Sequence, residues 1–329
     1  MNKGKAISLT GDLVIIVIML LLPAFFKGPY VTHVLILTIL NILLATSLRL
    51  INLTGLMSLA HGGMMTVGAY TCTLFVIKLG ISSWLALLIG GLMSSFVAFL
   101  VGFPFSRLKG IYFAMVTIFL SEMVALSAEQ WRSMTGGSLG IYNIPRPDPI
   151  IIPGILKLTF SSKVSFYYLI CAILLISLLI LYAIEHSRIG MTLNGIQQSD
   201  SLAESIGISC TRYKVLAFSI GCFFPGIAGG FYAQYISTIN PTTFGFLFTI
   251  YVIIYLVVGG MKSFVGPIIG AFIFTILPEV LRPLKEFQPY FFAGSLMLII
   301  FFMPEGLVGL PKRLILLYGR IFLNRERNA

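Results

Sequence analysis

Charge is what this sequence has least of. Its 329 residues include 22 lysines and arginines, 11 aspartates and glutamates and 3 histidines. A soluble domain solvates its surface with roughly 25% charged residues. Here 10% are charged, 58% are hydrophobic and the mean hydropathy is +1.00. These values exclude an ordinary soluble domain and imply a surface that faces lipid. Chemistry-bearing patterns are just as sparse. His33, His61 and His186 fall in separate segments, with no H-E-x-x-H or other metal spacing. No serine lies in a G-x-S-x-G elbow. No G-x-x-x-x-G-K-[ST] loop is present, so the chain has no phosphate-cradling loop of its own. Cys72, Cys171, Cys210 and Cys222 form no C-x-x-C pair and behave as small hydrophobes, with no disulfide framework or metal site implied. The formal charge of +11 comes from basic residues scattered singly between apolar stretches, which excludes a nucleic-acid surface.

What the sequence has is long apolar runs. A helix rising 1.5 Å per residue needs about 20 apolar residues to cross roughly 30 Å of hydrocarbon. Ten runs approach that length, at about 12–26, 31–48, 54–77, 83–105, 111–128, 164–184, 215–236, 244–261, 264–281 and 290–306. The first follows Lys3 and Lys5, lacks a small-residue cleavage site and is expected to be an uncleaved span. Ten crossings put both termini on one side. With that side cytoplasmic, 14 of the basic residues lie inside and 8 outside, which agrees with the positive-inside tendency. The expected fold is therefore an all-α polytopic membrane protein of about ten transmembrane helices, both termini cytoplasmic, with residues 1–329 forming a single transmembrane domain.

Two loops are long enough to have functions of their own. The outer loop, about 129–163, contains Thr135, Gly136 and Gly137 and then Pro145, Pro147, Pro149 and Pro153. The cytoplasmic loop, about 185–214, contains the S-x-x-E capping-box pattern of Ser201 and Glu204, with Gly207 as a helix stop. That pattern predicts a short amphipathic helix whose apolar face is Leu202, Ala203 and Ile206.

The third run is interrupted by Gly55, Gly62, Gly63 and Gly68, with Ser58, His61 and Thr66 among them. Glycine weakens a helix by about 1 kcal/mol relative to alanine, yet it lets backbones approach closely inside a bundle. Unwound backbone in a membrane is tolerated only under a cover of protein or beside a water-filled cavity. The segment therefore either packs tightly or borders a pathway.

Ionisable groups inside spans are few. Glu122 sits in the second half of span five and is either an interface-level structural residue or a coupling group. His61 has the same two readings, packing or proton relay. Glu279 and Arg282 are spaced for a local helical pair, Asp12 opens span one and Glu305 closes span ten. A carrier driven by protons or sodium needs a buried polar network near the midplane, and this chain has little to build one from. So small a fixed charge suits zwitterionic or neutral solutes.

Gly55, Ser58, His61 and Gly62, followed by Gly68, Ala69 and Tyr70, resemble the G-x-x-S-L-x-H-G/A…G-A-Y segment of LivM-type permeases, the membrane subunits of ATP-binding-cassette importers for branched-chain amino acids. The likeness continues in order through Arg107, Gly110 and Ala114, then Thr135, Gly136, Gly137 and Gly140, then Gly207, Thr211 and Lys214. It runs on through Ala228 and Tyr232, is strongest at Gly259, Gly260, Ser263, Gly266, Pro267, Gly270 and Ala271, and ends at Pro304, Gly306 and Leu307. The resemblance implies a bacterial inner-membrane protein that forms half of a translocation pathway by alternating access. Its partners would be a second, LivH-like permease, two cytoplasmic ATPase subunits and a periplasmic substrate-binding protein. It implies no enzyme activity and no cofactor in this chain, ATP being used by the partner subunit.

The family's coupling segment, which inserts into a cleft on the ATPase, maps onto Asp200, Ser201, Ala203, Glu204 and Gly207. Where the family often reads close to R-x-D/N-E before the A-x-E, this sequence has Gln197, Gln198, Ser199, Asp200 and Ser201, a departure from the family's charged positions. Gly55, Ser58, His61, Gly62 and Glu122 are the pathway candidates, and Thr135, Gly136 and Gly137 the outer-face candidates. Urea and short-chain amide importers use closely similar permeases. An ion-coupled carrier or channel is the reading from another class.

Overall fold

A computed structural model describes residues 28–152, 156–160, 162–303 and 306–309. The expected span at 12–26, with Asp12, and the closing Glu305 lie outside these residues. Besides the single turn Arg132–Thr135, the α-helices in chain order are α1 (Pro29–Asn52), α2 (His61–Leu79), α3 (Ser83–Phe105), α4 (Ile111–Gln130), α5 (Lys163–Glu185), α6 (Arg188–Gln198), α7 (Asp200–Ser205), α8 (Cys210–Ile236), α9 (Phe246–Gly259), α10 (Val265–Leu281) and α11 (Gln288–Phe302). Four short strands, β1 (Ile141–Tyr142), β2 (Ile150–Ile152), β3 (Leu156–Leu158) and β4 (Thr238–Ile239), form two antiparallel pairs, β1 with β4 and β2 with β3.

The fold is the expected all-α polytopic one, and the count of ten spans is not confirmed. Seven runs among the described residues are long and apolar enough to cross a membrane. The last of them, Val265–Ile299, contains two expected spans. Phe274 and Phe292 meet with ring centroids 5.5 Å apart, and Gln288 donates to the Pro278 carbonyl at 3.0 Å, so α10 and α11 fold back on each other. The turn between them is the 3-10 segment Arg282–Phe287. Helix α9 has 14 residues and is about 21 Å long, short of the roughly 30 Å of a hydrocarbon core.

Local chemistry sets several boundaries. Pro29 occupies the first turn of α1, where its missing N–H costs nothing. The Ser162 hydroxyl accepts from the Ser165 N–H and caps α5. The Asp148 carboxylate accepts from the Ser83 N–H at 2.8 Å, tying the loop before β2 to the start of α3.

Nearly all of α1 is buried, and α5, α8, α9 and α10 pack against it. Helix α3 instead exposes Leu85, Leu88, Leu92, Phe96, Phe99 and Phe103, a stripe at helical spacing that suits lipid. Helices α2, α3 and α8 meet where none of them has a side chain. A Cβ on Gly90 would lie 2.8 Å from the Gly68 carbonyl oxygen, and one on Gly226 would lie 2.6 Å from Ser94 Cβ and 2.8 Å from the Gly90 carbonyl oxygen. Glycines 259, 266 and 270 allow the same close approach of α9 to α10. Their run of small residues is a packing device.

Glu279 and Arg282 do not pair directly. Both bind the Tyr30 hydroxyl, which donates to Glu279 and accepts from Arg282 Nη1 at 2.7 Å, and the guanidinium lies 5.1 Å above the Tyr30 ring. The expected local pair is instead a bridge from the α10 end to the start of α1.

Candidate functional site: a broken helix and a polar arm

The third apolar run is not one helix. Residues 56–60 have no regular structure, and α2 starts only at His61. Helix α1 ends in a turn in which the Gly55 N–H donates to the Asn52 carbonyl at 2.9 Å. Gly55 has φ +77°, a left-handed conformation that a side chain resists. The chain then passes back into the bundle. The Ser47 hydroxyl lies 3.1 Å from His61 Nε2, and Ser47 is about 7 Å inside the end of α1 at 1.5 Å per residue. Helix α2 therefore begins below the surface, which calls for other partners for the freed backbone.

Hydroxyls from two other helices supply them. Thr117 Oγ1 on α4 accepts from the Leu59 N–H at 3.0 Å, and Ser121 Oγ donates to the Leu59 carbonyl at 2.9 Å. Ser121 also accepts from the Gly63 N–H at 3.3 Å, and Thr249 on α9 accepts from the Gly62 N–H at 3.1 Å. The Ser58 hydroxyl accepts from Ala60 N–H at 3.2 Å. Of the pathway candidates, Ser58, His61 and Gly62 are buried in this constellation, Gly55 is exposed at the turn and Glu122 is half-buried one residue past Ser121. A Cβ on Gly62 would lie 2.6 Å from Thr249 Oγ1, so this end of α2 is filled.

The Ser47 hydroxyl also donates to the Leu44 carbonyl at 2.8 Å. With its one hydrogen used there, it accepts from a protonated Nε2 of His61, and Nδ1, fully buried, has no hydrogen-bond partner among the described residues. Of the two readings of the third run, tight packing holds for its glycines. Gly62, Gly63 and Gly68 pack tightly, while Leu56–Ala60 is unwound under protein cover. Replacing Thr117 by Val keeps the shape and leaves the Leu59 N–H unpaired. The expected loss is about 1–3 kcal/mol, read as a lower unfolding temperature in detergent. An unchanged transition would show that the hydroxyl does not hold the break.

The polar arm lies between α5 and α8. Its first helix, α6, was not foreseen. The Ser187 hydroxyl accepts from the Ile189 N–H at 3.1 Å and caps it, and Leu193 and Ile196 form its buried side. The second helix, α7, starts earlier than the Ser201–Glu204 pattern predicts, because Ser199 is the cap, accepting from the Leu202 N–H at 3.3 Å. Gly207 does end it, at φ +85°. The predicted apolar face divides. Ala203 is buried against Ile196 and Cys210, whereas Leu202 and Ile206 are exposed.

Asp200 faces the bundle, with Oδ2 2.7 Å from Nζ of the buried Lys214 and 3.6 Å from Nζ of the exposed Lys109. Ser201, Glu204 and Gly207 remain at the surface. At the arm's root, Arg49 forks onto the Glu185 carboxylate, its Nε 3.2 Å from Oε2, and its Nη1 donates to the Met261 carbonyl. The sequence offered no signal for that pair, whose members are far apart in the chain.

At the opposite end of the bundle, Thr135 is buried and its hydroxyl donates to the Trp131 carbonyl at 2.7 Å. Gly136 and Gly137 both have positive φ, +77° and +66°, and turn the chain into β1. These three residues shape the loop, and the large apolar groups exposed beside them are Trp131, Met134, Leu139 and Tyr142.

A multi-pass helical membrane protein with a glycine-interlocked bundle, a broken helix and a polar arm has the build of a transport permease. The family described as "Branched-chain amino acid transport system / permease component" matches residues 30–303, and the chain belongs to that family. It is similar to two proteins named "High-affinity branched-chain amino acid transport system permease protein LivM", from Escherichia coli (strain K12) and Salmonella typhimurium (strain LT2). To each it is 30% identical over 294 residues, covering 84% of this chain and 69% of the relative. No solved structure matches it.

Proposed function

We propose that this chain is the membrane subunit of an ATP-binding-cassette importer for branched-chain amino acids and forms half of its translocation pathway. It lies in the bacterial inner membrane with the arm on the cytoplasmic side. A second, LivH-like permease completes the pathway and two cytoplasmic subunits hydrolyse ATP. A periplasmic binding protein delivers the amino acid near Trp131, Leu139 and Tyr142. The chain binds no cofactor.

The observation that carries this reading is the tip of the arm. Leu202 and Ile206, four residues apart, stay exposed beside Glu204, while Ala203 and Asp200 hold the same short helix to the bundle. Two large apolar side chains presented on a fixed polar arm are a contact surface for another protein.

The test is co-expression with the ATPase pair and leucine uptake into proteoliposomes. Uptake should need internal ATP. Replacing Leu202 and Ile206 together by Asp should leave membrane insertion and melting unchanged, abolish co-purification of the ATPases and stop uptake. Uptake driven by a proton or sodium gradient without ATPases would overturn the reading in favour of an ion-coupled carrier.

A further inference from the structure

The arm touches the bundle at its root through Arg49 and Glu185, and at its tip through Asp200 and Lys214. Between them lies a third contact of a different kind. Gln197 Nε2 donates to the Asn52 carbonyl at 3.0 Å, and a Cβ built on Gly55 would lie 3.6 Å from Gln197 Cα. The last carbonyls of a helix have no partner within it. Asn52 O takes two from outside, the Gly55 N–H and the Gln197 amide. Gln197 therefore grips the turn that closes α1 and opens the unwound segment Leu56–Ala60.

The two sides of that turn differ in stiffness. Helix α1 is almost wholly buried and is pinned by Arg49. The segment beyond is held by the rotatable hydroxyls of Thr117 and Ser121, which can exchange partners as no helical ladder can. Helix α6 starts at Arg188 and sets Gln197 about 14 Å along the arm from its root. A pivot at the root therefore displaces Gln197 and, with it, the turn.

We propose that the Gln197–Asn52 contact is the joint through which movement of the arm reaches the broken helix. The proposal rests on the reading of the arm as the ATPase-coupling segment. Gln197 acts as a positioning residue, and what it supplies is a hydrogen-bond donor.

A donor series tests this in the assembled complex, with ATPase co-purification, ATP hydrolysis and leucine uptake measured on the same preparations. Gln197→Leu and Gln197→Glu remove the donor, and Gln197→Lys keeps one of similar reach. The two donorless variants should retain the ATPases and hydrolyse ATP, with uptake per ATP lowered about five-fold or more, the low end of a site-to-site coupling. The lysine variant should recover most of it. Normal uptake by Gln197→Leu overturns the joint, as does a lysine variant no better than leucine. Loss of the ATPases from the donorless variants alone would place Gln197 in the docking face and overturn it too. If the unsubstituted chain retains no ATPase, the coupling reading itself fails.

Discussion

Replacement of Arg49 by Ala is expected to leave little folded protein. The guanidinium is almost wholly buried, and its three nitrogens bind both Glu185 oxygens and the Met261 carbonyl. Alanine would strand the Glu185 carboxylate, itself mostly buried, without its counter-charge. Breaking a buried pair from one side costs about 3–5 kcal/mol, set against a net stability of about 5–15 kcal/mol for a folded domain. The freed Met261 carbonyl adds to that loss.

The damage should depend on what is left behind. Arg49→Lys keeps the charge but loses the planar fork and should fall between the two. Glu185→Gln removes the stranded charge and should be milder than Arg49→Ala. An apolar pair, Arg49→Met with Glu185→Leu, should recover part of the stability, because a well-packed apolar pair can match a buried ion pair. Yield and unfolding temperature in detergent decide the order. Wild-type melting of Arg49→Ala would show that the pair contributes nothing to the fold.

The pair also marks the limit of what the sequence could reveal. Helix positions were legible because each apolar run is a local property. The expected 83–105 coincides with α3, and the runs at 111–128 and 164–184 fall within α4 and α5. The break at Leu56–Ala60 was only half legible. Its glycines announced an interruption, but the hydroxyls that make it tolerable come from Thr117, Ser121 and Thr249, far away in the chain. The arm shows the same division. Its stop at Gly207 is a local signal and held, whereas its apolar face depended on what lay opposite. Ala203 finds Ile196 and Cys210, while Leu202 and Ile206 stay exposed among the described residues. Asp200, expected at the docking surface, is drawn inward by Lys214, 14 residues on, across the turn into α8.

The other large effect is expected at Gly68. A Cβ there would fall on the Gly226 carbonyl, closer than any van der Waals contact. The obstacle is backbone on both sides, so no side-chain rotation can relieve it and the helices themselves must separate. Gly90 and Gly226 close the node from the other two helices, so moving α2 away from α8 also loosens its fit to α3. Overpacking of a filled core costs about 1–3 kcal/mol and occasionally more, and a contact with no soft partner belongs at the upper end. Close backbone approach is moreover what holds membrane helices together where lipid removes the hydrophobic drive.

Gly68→Ala should therefore lower the unfolding temperature in detergent sharply, and Gly68→Val should prevent accumulation of the folded protein. Gly294 in α11 supplies the control, since a Cβ there would meet nothing within 4 Å among the described residues. Gly294→Ala should leave stability unchanged or raise it by up to about 1 kcal/mol through helix propensity alone. Equal melting of the two alanine variants would mean that the α2–α8 contact is not the close one described. A large difference would place a tight backbone contact on the helix that begins at the break.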